Sequence, residues 1–133
     1  MKQADKGKIL SLDVGTKKTG VAVSDAERQM AFMRPEIFHA GNPELLNAIK
    51  EILLRENIST ILVGMPFSLS GGLAVNKNHI LELIDDLKKL KVEVKTMDER
   101  FTSKIAAGRS SISEEDDSQA ALVLLETYLR IKA

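Results

Sequence analysis

The sequence predicts a single α/β domain built on a mixed sheet, and three observations carry that prediction. Apolar residues form short blocks or alternate with polar ones as far as Phe38, then recur at helical spacing from Asn42 onward. The resulting element order is βββ-α-β-α-β-α, a hairpin meander followed by βα units, which gives a mixed sheet with helices on its faces. No internal repeat, low-complexity segment or Pro/Gly/Ser linker divides residues 1–133, so one domain accommodates the whole chain.

The first strand is Ile9, Leu10, Leu12 and Val14 around a polar Ser11, and the second is Val21, Ala22 and Val23. The turn GTKKTG joins them, and SDAERQ leads to a third strand from Met30 to Phe38. Pro35 inside that third strand marks it as an edge. Asn42 is the expected N-cap of the first helix, with Pro43 at its first position and Glu44 in its first turn. Leu45, Ala48, Ile49, Ile52 and Leu53 then form its apolar stripe up to about Glu56. Ile61 to Val63 read as a short buried strand ending at Gly64, followed by the loop MPFSLSGG from Met65 to Gly72. Ile80, Leu81, Ile84 and Leu87 mark a second helix ending near Leu90. Val92, Val94 and Thr96 alternate as a fifth strand running into Asp98-Glu99-Arg100. A short helix is expected from Thr102 to Ala107, and the last one from about Glu114 to Arg130.

With 44% apolar and 29% charged residues, the composition is that of an ordinary globular protein. Nineteen basic residues balance nineteen acidic ones, so no global field draws the chain to nucleic acid or to an anionic membrane. Contacts to nucleic acid must then rest on local clusters. The absence of cysteine excludes disulfides, thiolate metal sites and a thiol nucleophile. The polar start MKQADKGK has no signal-peptide core and no apolar run approaches membrane-spanning length, so a cytoplasmic protein with no membrane role is expected. There are only two histidines, so a His-based metal site or triad is not expected, and His79 is expected to face solvent.

Acidic residues sit at element ends. Asp13 ends the first strand, where a charge is costly unless something pairs with it. It could close the turn by a backbone hydrogen bond, belong to a phosphate cradle, or hold a metal ion. Asp98 and Glu99 end the last strand, where a surface ion pair with Arg100 is the alternative reading. Asp117 is in register with Ala120, Ala121, Leu124 and Tyr128, on the buried stripe of the final helix. Glu114, Glu115 and Asp116, by contrast, suit the helix dipole behind a Ser113 cap. Carboxylates brought together repel unless a cation joins them. Mg²⁺ prefers such oxygens, and two ions held this way can activate water and stabilise a leaving oxygen.

The blocks LDVGTKKTGVAVSD, ILVGMPFSLSGG, MDERFTS and DDSQAALVLLETYL resemble, in order, the signature blocks of the YqgF/RuvX family, over about residues 8 to 131. The resemblance implies a ribonuclease H-like fold: a three-stranded antiparallel meander plus two parallel strands, with helices on both faces. It also implies a Mg²⁺- or Mn²⁺-dependent nuclease using two ions. Asp13, Asp117 and one or both of Asp98 and Glu99 match the family's catalytic, metal-binding acids. Which of the last two is the ligand stays open, because they alternate in direction along a regular strand. The chain departs from the family in its Ser68 to Gly72 loop and in SISEEDD, where lysines often precede the last aspartate.

Lys17, Lys18, Arg100, Lys104 and Arg109 flank the acids and are the candidate phosphate contacts; Phe101 could stack a base. Three functions follow. The first is hydrolysis of phosphodiester bonds in structured nucleic acid, in 5′-end maturation of precursor 16S rRNA or, alternatively, as a Holliday junction resolvase-like DNA nuclease. The second is a catalytically weak ribosome-assembly factor on the same fold. The third is nucleotide binding, since the Asp-x-Gly-Thr turn also occurs in the actin, Hsp70 and sugar-kinase superfamily; those proteins use two such domains and this chain has one such turn. The expected partner is precursor rRNA or branched DNA, and the expected state a monomer or weak homodimer.

Overall fold

Five strands form one mixed sheet in the order β3-β2-β1-β4-β5. They are β1 (Lys8–Val14), β2 (Lys18–Ser24), β3 (Ala31–Phe38), β4 (Ile58–Met65) and β5 (Glu93–Asp98). The helices are α1 (Asn42–Glu56), α2 (Lys77–Lys88) and α3 (Asp117–Lys132). The structure is a computed structural model and describes residues 7–65, 77–98 and 117–132, with the backbone alone at 77, 117 and 132. The expected helix from Thr102 to Ala107 and the expected start of the last helix at Glu114 lie outside these residues.

β1, β2 and β3 pair antiparallel, whereas β4 lies parallel to both β1 and β5. This is the meander-plus-parallel arrangement expected from the sequence. β1 is the central strand and is covered on both faces, so Ile9, Leu10, Ser11 and Leu12 are all fully buried. Alternation sorts the side chains. Leu10, Leu12, Val21, Val23, Ile61 and Val63 pack with Leu45, Ile49, Leu83 and Leu87 of α1 and α2. Ile9, Ala22, Leu62 and Met97 pack on the other face with Ala121, Leu124 and Leu125 of α3. The helices thus cover both faces.

Three local details differ from expectation. Asn42 is not the cap of α1: Gly41 occupies that position, while the Asn42 amide donates to the His79 carbonyl (2.9 Å) and ties α1 to α2. His79 does not stand in solvent; its Nε2 is enclosed and has no hydrogen-bond partner among the described residues, as is the case for Nδ1 of the buried His39. Ala120 lies on the exposed side of α3, and the buried stripe there includes Ser118, Ala121, Leu124 and Leu125. The expected edge strand is confirmed. Between the pairs Thr19↔Ile37 and Val21↔Arg34 the register of β3 shifts by one residue, forming a bulge that contains Pro35. Proline brings no N–H to the ladder, so a bulge on an edge strand suits it.

Candidate active site

Asp13 lies near the C-terminal end of β1, directly opposite Gly20 of β2. It shares the α3 face with Ile9 and Ser11, because side chains of one strand alternate. Its position is half-buried. The neighbouring Gly20 adds no side chain between Asp13 and whatever lies above the sheet.

The hairpin that follows is short and well tied. Gly15 N–H donates to the Lys18 carbonyl (3.0 Å), leaving Thr16 and Lys17 exposed at the tip. His39 N–H donates to the Lys17 carbonyl (2.9 Å), so the segment after β3 holds the tip from the side. Below it the Thr19 hydroxyl and His39 Nε2 are 2.8 Å apart. Burial pushes the His39 imidazole below its usual pKa, as does the neighbouring His79, against the opposing pull of Glu44. Lys18 pairs with Glu36 at 3.8 Å on the α3 face of the sheet.

Two buried serines place α3. The bulge removes the regular β3 partner from β2, and the Val21 N–H donates instead to Ser118 Oγ (3.0 Å). The same hydroxyl donates to the Arg34 carbonyl (2.7 Å), so Ser118 fills the gap in the ladder from above. Ser11 Oγ donates to the Ala121 carbonyl (2.9 Å). Since Val21 is opposite Leu12, the helix runs from the level of Leu12 at Ser118 back to Ser11 at Ala121, antiparallel to β1. From Ser11 to Asp13 the strand advances ~6.7 Å. From Ala121 back to position 117 the helix spans ~6 Å. The backbone at 117 therefore stands above the sheet at about the level of Asp13.

Gly64 of β4 lets the helix sit this close. A Cβ there would lie 3.1 Å from Leu124 Cδ2. Position 117 is one turn before Ala121, whose carbonyl meets Ser11 of β1, and two turns before Leu124, which meets Gly64 of β4.

The fifth strand is different. Asp98 pairs with Met65, and both Met65 and Val94 pack against the α1/α2 core, so alternation sets Asp98 on the face opposite Asp13. Among the described residues, no group of three or more His, Cys, Asp or Glu side chains gathers as a metal cluster. Only Asp13 and Asp98 of the four expected acids have described side chains, and they take opposite faces. Glu99, Arg100, Phe101, Lys104 and Arg109 lie outside the described residues.

The supporting residues were not evident beforehand. Ser11 stands out only as a polar residue in an apolar run. Ser118 carries no sequence signal for its role, because its partners are in β2 and β3, 97 and 84 residues away.

A "Putative pre-16S rRNA nuclease" of Orientia tsutsugamushi (strain Ikeda) is 35% identical over 94% of this chain and 85% of its own length. A protein of the same name from Sulfurihydrogenibium sp. (strain YO3AOP1) is 32% identical over 92% of this chain and 89% of its own. Among solved structures, Thermus thermophilus RuvC in complex with a Holliday junction substrate superposes with a TM-score of 0.66 at 13% identity, covering 96% of this chain and 97% of that one. The Fowlpox virus resolvase, solved with Holliday junction DNA, gives 0.59 at 11% identity over 94% and 98%. These distant structures share the fold, the ribonuclease H-like arrangement expected from the sequence. The family model described as "RuvX: Holliday junction resolvase" matches residues 7–131, and this chain belongs to that family.

Proposed function

We propose that the protein is a metal-dependent nuclease that hydrolyses phosphodiester bonds of structured nucleic acid, with 5′-end maturation of precursor 16S rRNA as its biological reaction. The observation that carries this reading is the pair of serine hydrogen bonds that set the first residue of α3 level with Asp13. An aspartate at each of those positions, 104 residues apart in sequence, is hard to explain by folding alone, since like charges brought close are unfavourable. The names of the relatives supply the substrate class.

The donor set fits a hard divalent cation. Asp13 and Asp117 offer carboxylate oxygens, the preferred ligands of Mg²⁺ and Mn²⁺. Glu99 is the better candidate for a third ligand than Asp98, because Asp98 takes the α1/α2 face, opposite Asp13. A bound pair of ions would supply an activated water and neutralise charge on the leaving oxygen. The chain's own residues have separate tasks. Asp13 and Asp117 hold the site from strand and helix, and Ser118 and Ser11 fix the helix that carries the second acid. Lys17 and Lys18 meet the phosphate backbone beside the scissile bond, aided by Arg100, Lys104 and Arg109.

No helix among the described residues is long and apolar enough to cross a membrane. With no cysteine and relatives named for rRNA, a cytoplasmic site of action is the natural assignment. The test is cleavage of a precursor 16S rRNA 5′ segment and of a four-way DNA junction in Mg²⁺ or Mn²⁺. Wild-type protein cleaves the RNA, EDTA abolishes cleavage, and Asp13→Asn lowers it at least ~100-fold. Junction cleavage without RNA cleavage would transfer the assignment to a DNA resolvase. Tight RNA binding without cleavage by any form would leave an assembly factor.

A further inference from the structure

A phenylalanine on the sheet's edge extends the acid site along the substrate. Phe38, the last residue of β3, is 71% exposed, a position that forfeits most of the hydrophobic gain of burying its ring. Single exposed apolar residues are common, so position decides whether this one matters. Phe38 pairs directly with Lys18, and the two share the sheet face that carries Asp13. Its separation from Asp13 is two strand spacings of ~4.8 Å across the sheet and two residues of ~3.4 Å along it, about 12 Å between Cα atoms. That distance is a few nucleotides along a strand from a phosphate held at Asp13, since even a stacked helix advances ~3.4 Å per nucleotide.

Two other strongly exposed apolar side chains among the described residues do not share this setting. Phe32 pairs with Val23 and so lies on the α1/α2 face, and Leu54 is on the outside of α1. Among the described residues no strand lies beyond β3, so nothing in this sheet limits access to Phe38 from that side. Pro35 and the bulge break the regular ladder there, which makes the edge a poor template for a second copy of the chain. Lys17 at the exposed hairpin tip supplies positive charge where a nucleotide's phosphate would lie, and Lys18 beside the ring shares its charge with Glu36 at 3.8 Å.

We propose that Phe38 stacks on an unpaired nucleobase of the substrate strand and, with Lys17 and Lys18, forms a single-strand subsite leading from the scissile phosphate over the β2–β3 edge. The inference rests on the nuclease reading for its direction and adds a preference: the strand must be unpaired a few nucleotides from the cleavage point. Phe38 is a specificity residue here and takes no part in bond cleavage.

The test measures binding without cleavage, so that it separates from the activity assay. Fluorescence anisotropy in EDTA reports affinity for a short labelled single-stranded RNA and for the same sequence in a blunt duplex. Phe38→Ala should bind the single strand about 5- to 100-fold more weakly, as loss of one base–aromatic stack implies. Phe38→Trp should bind at least as well as wild type, and duplex affinity should change less than about 2-fold for both. Unchanged single-strand affinity in Phe38→Ala, with wild-type cleavage intact, overturns the subsite alone. A changed sedimentation coefficient with unchanged affinity overturns it in favour of a contact between copies of the chain. A wild-type protein that binds neither RNA overturns the subsite and the nuclease reading together.

Discussion

Replacing Ser118 with alanine removes one buried oxygen atom and tests how the last helix is held. The side chain is 1% exposed, and among the described residues its hydroxyl bridges two backbone groups. It accepts from the Val21 N–H at 3.0 Å and donates to the Arg34 carbonyl at 2.7 Å. Val21 is fully buried beside the bulge, so in the variant its N–H loses the Ser118 acceptor where water does not reach. A buried donor left without a partner costs ~1–3 kcal/mol. The Arg34 carbonyl loses a donor as well, whereas the gain in helix propensity from Ser to Ala recovers at most ~0.5 kcal/mol. No cavity larger than the hydroxyl forms, so the net expectation is a loss of about 2 kcal/mol. Ser11→Ala is the internal control. The Ala121 carbonyl that Ser11 serves keeps its place in the helical ladder, so that change should cost only ~0.5–1.5 kcal/mol. Urea titration of both variants measures the difference. If Ser118→Ala loses less than ~0.5 kcal/mol, the hydroxyl is not the bridge that closes the bulge, and the account of how α3 is aligned over β1 fails.

Three further outcomes follow from the same structure. Burial holds the His39 pKa below the ordinary value of 6.5, so the unfolded chain takes up a proton more readily. The stability this gives is complete above the unfolded value and is lost as pH falls through the folded one; a smaller fall in the urea midpoint for His39→Gln than for wild type, between about pH 7 and pH 5, checks it. Glu56 grips Arg34 with both oxygens, at 2.9 and 3.0 Å, and the guanidinium holds its carboxyl below the usual 4.5. Glu56→Gln should therefore cost ~1–2 kcal/mol near neutrality, and the difference from wild type should vanish as pH falls through the depressed folded-state value, as acid unfolding curves of the two would record. At Gly64 even a Cβ would press on Leu124, so Gly64→Val should overpack the β4–α3 contact by ~1–3 kcal/mol and lower nuclease activity by lifting the helix that carries Asp117. A stable, fully active Gly64→Val protein would remove the close approach from the account.

Much of the sheet was legible in the sequence because its signals are local. The alternation in Val92, Val94 and Thr96, the apolar block Ile61 to Val63, and Pro35 in the third strand each depend on a few neighbouring residues. The site was legible only as a set of element ends. Asp98 and Glu99 show why. Sequence says that they point opposite ways, but choosing between them needs the face that Asp13 uses, and that is fixed by pairings between strands far apart in the chain. Ser118 and Gly64 were opaque for the same reason. One completes a ladder broken by a bulge in another strand, and the other makes room for a leucine from the opposite end of the chain. His79 misled because a polar residue near a helix start reads as solvated, whereas α1 and the segment around His39 pack against it.

The central claim is that Asp13 and Asp117 face one another across a bound divalent cation. Anomalous diffraction from a crystal soaked in Mn²⁺ tests it without recourse to activity or substrate. The account predicts a metal peak within coordination distance of both carboxylates, with Glu99 as the nearest further acid, and no such peak in Asp13→Asn. A folded wild-type protein with no metal between the two, and the Asp117 carboxylate turned away from Asp13, would contradict it.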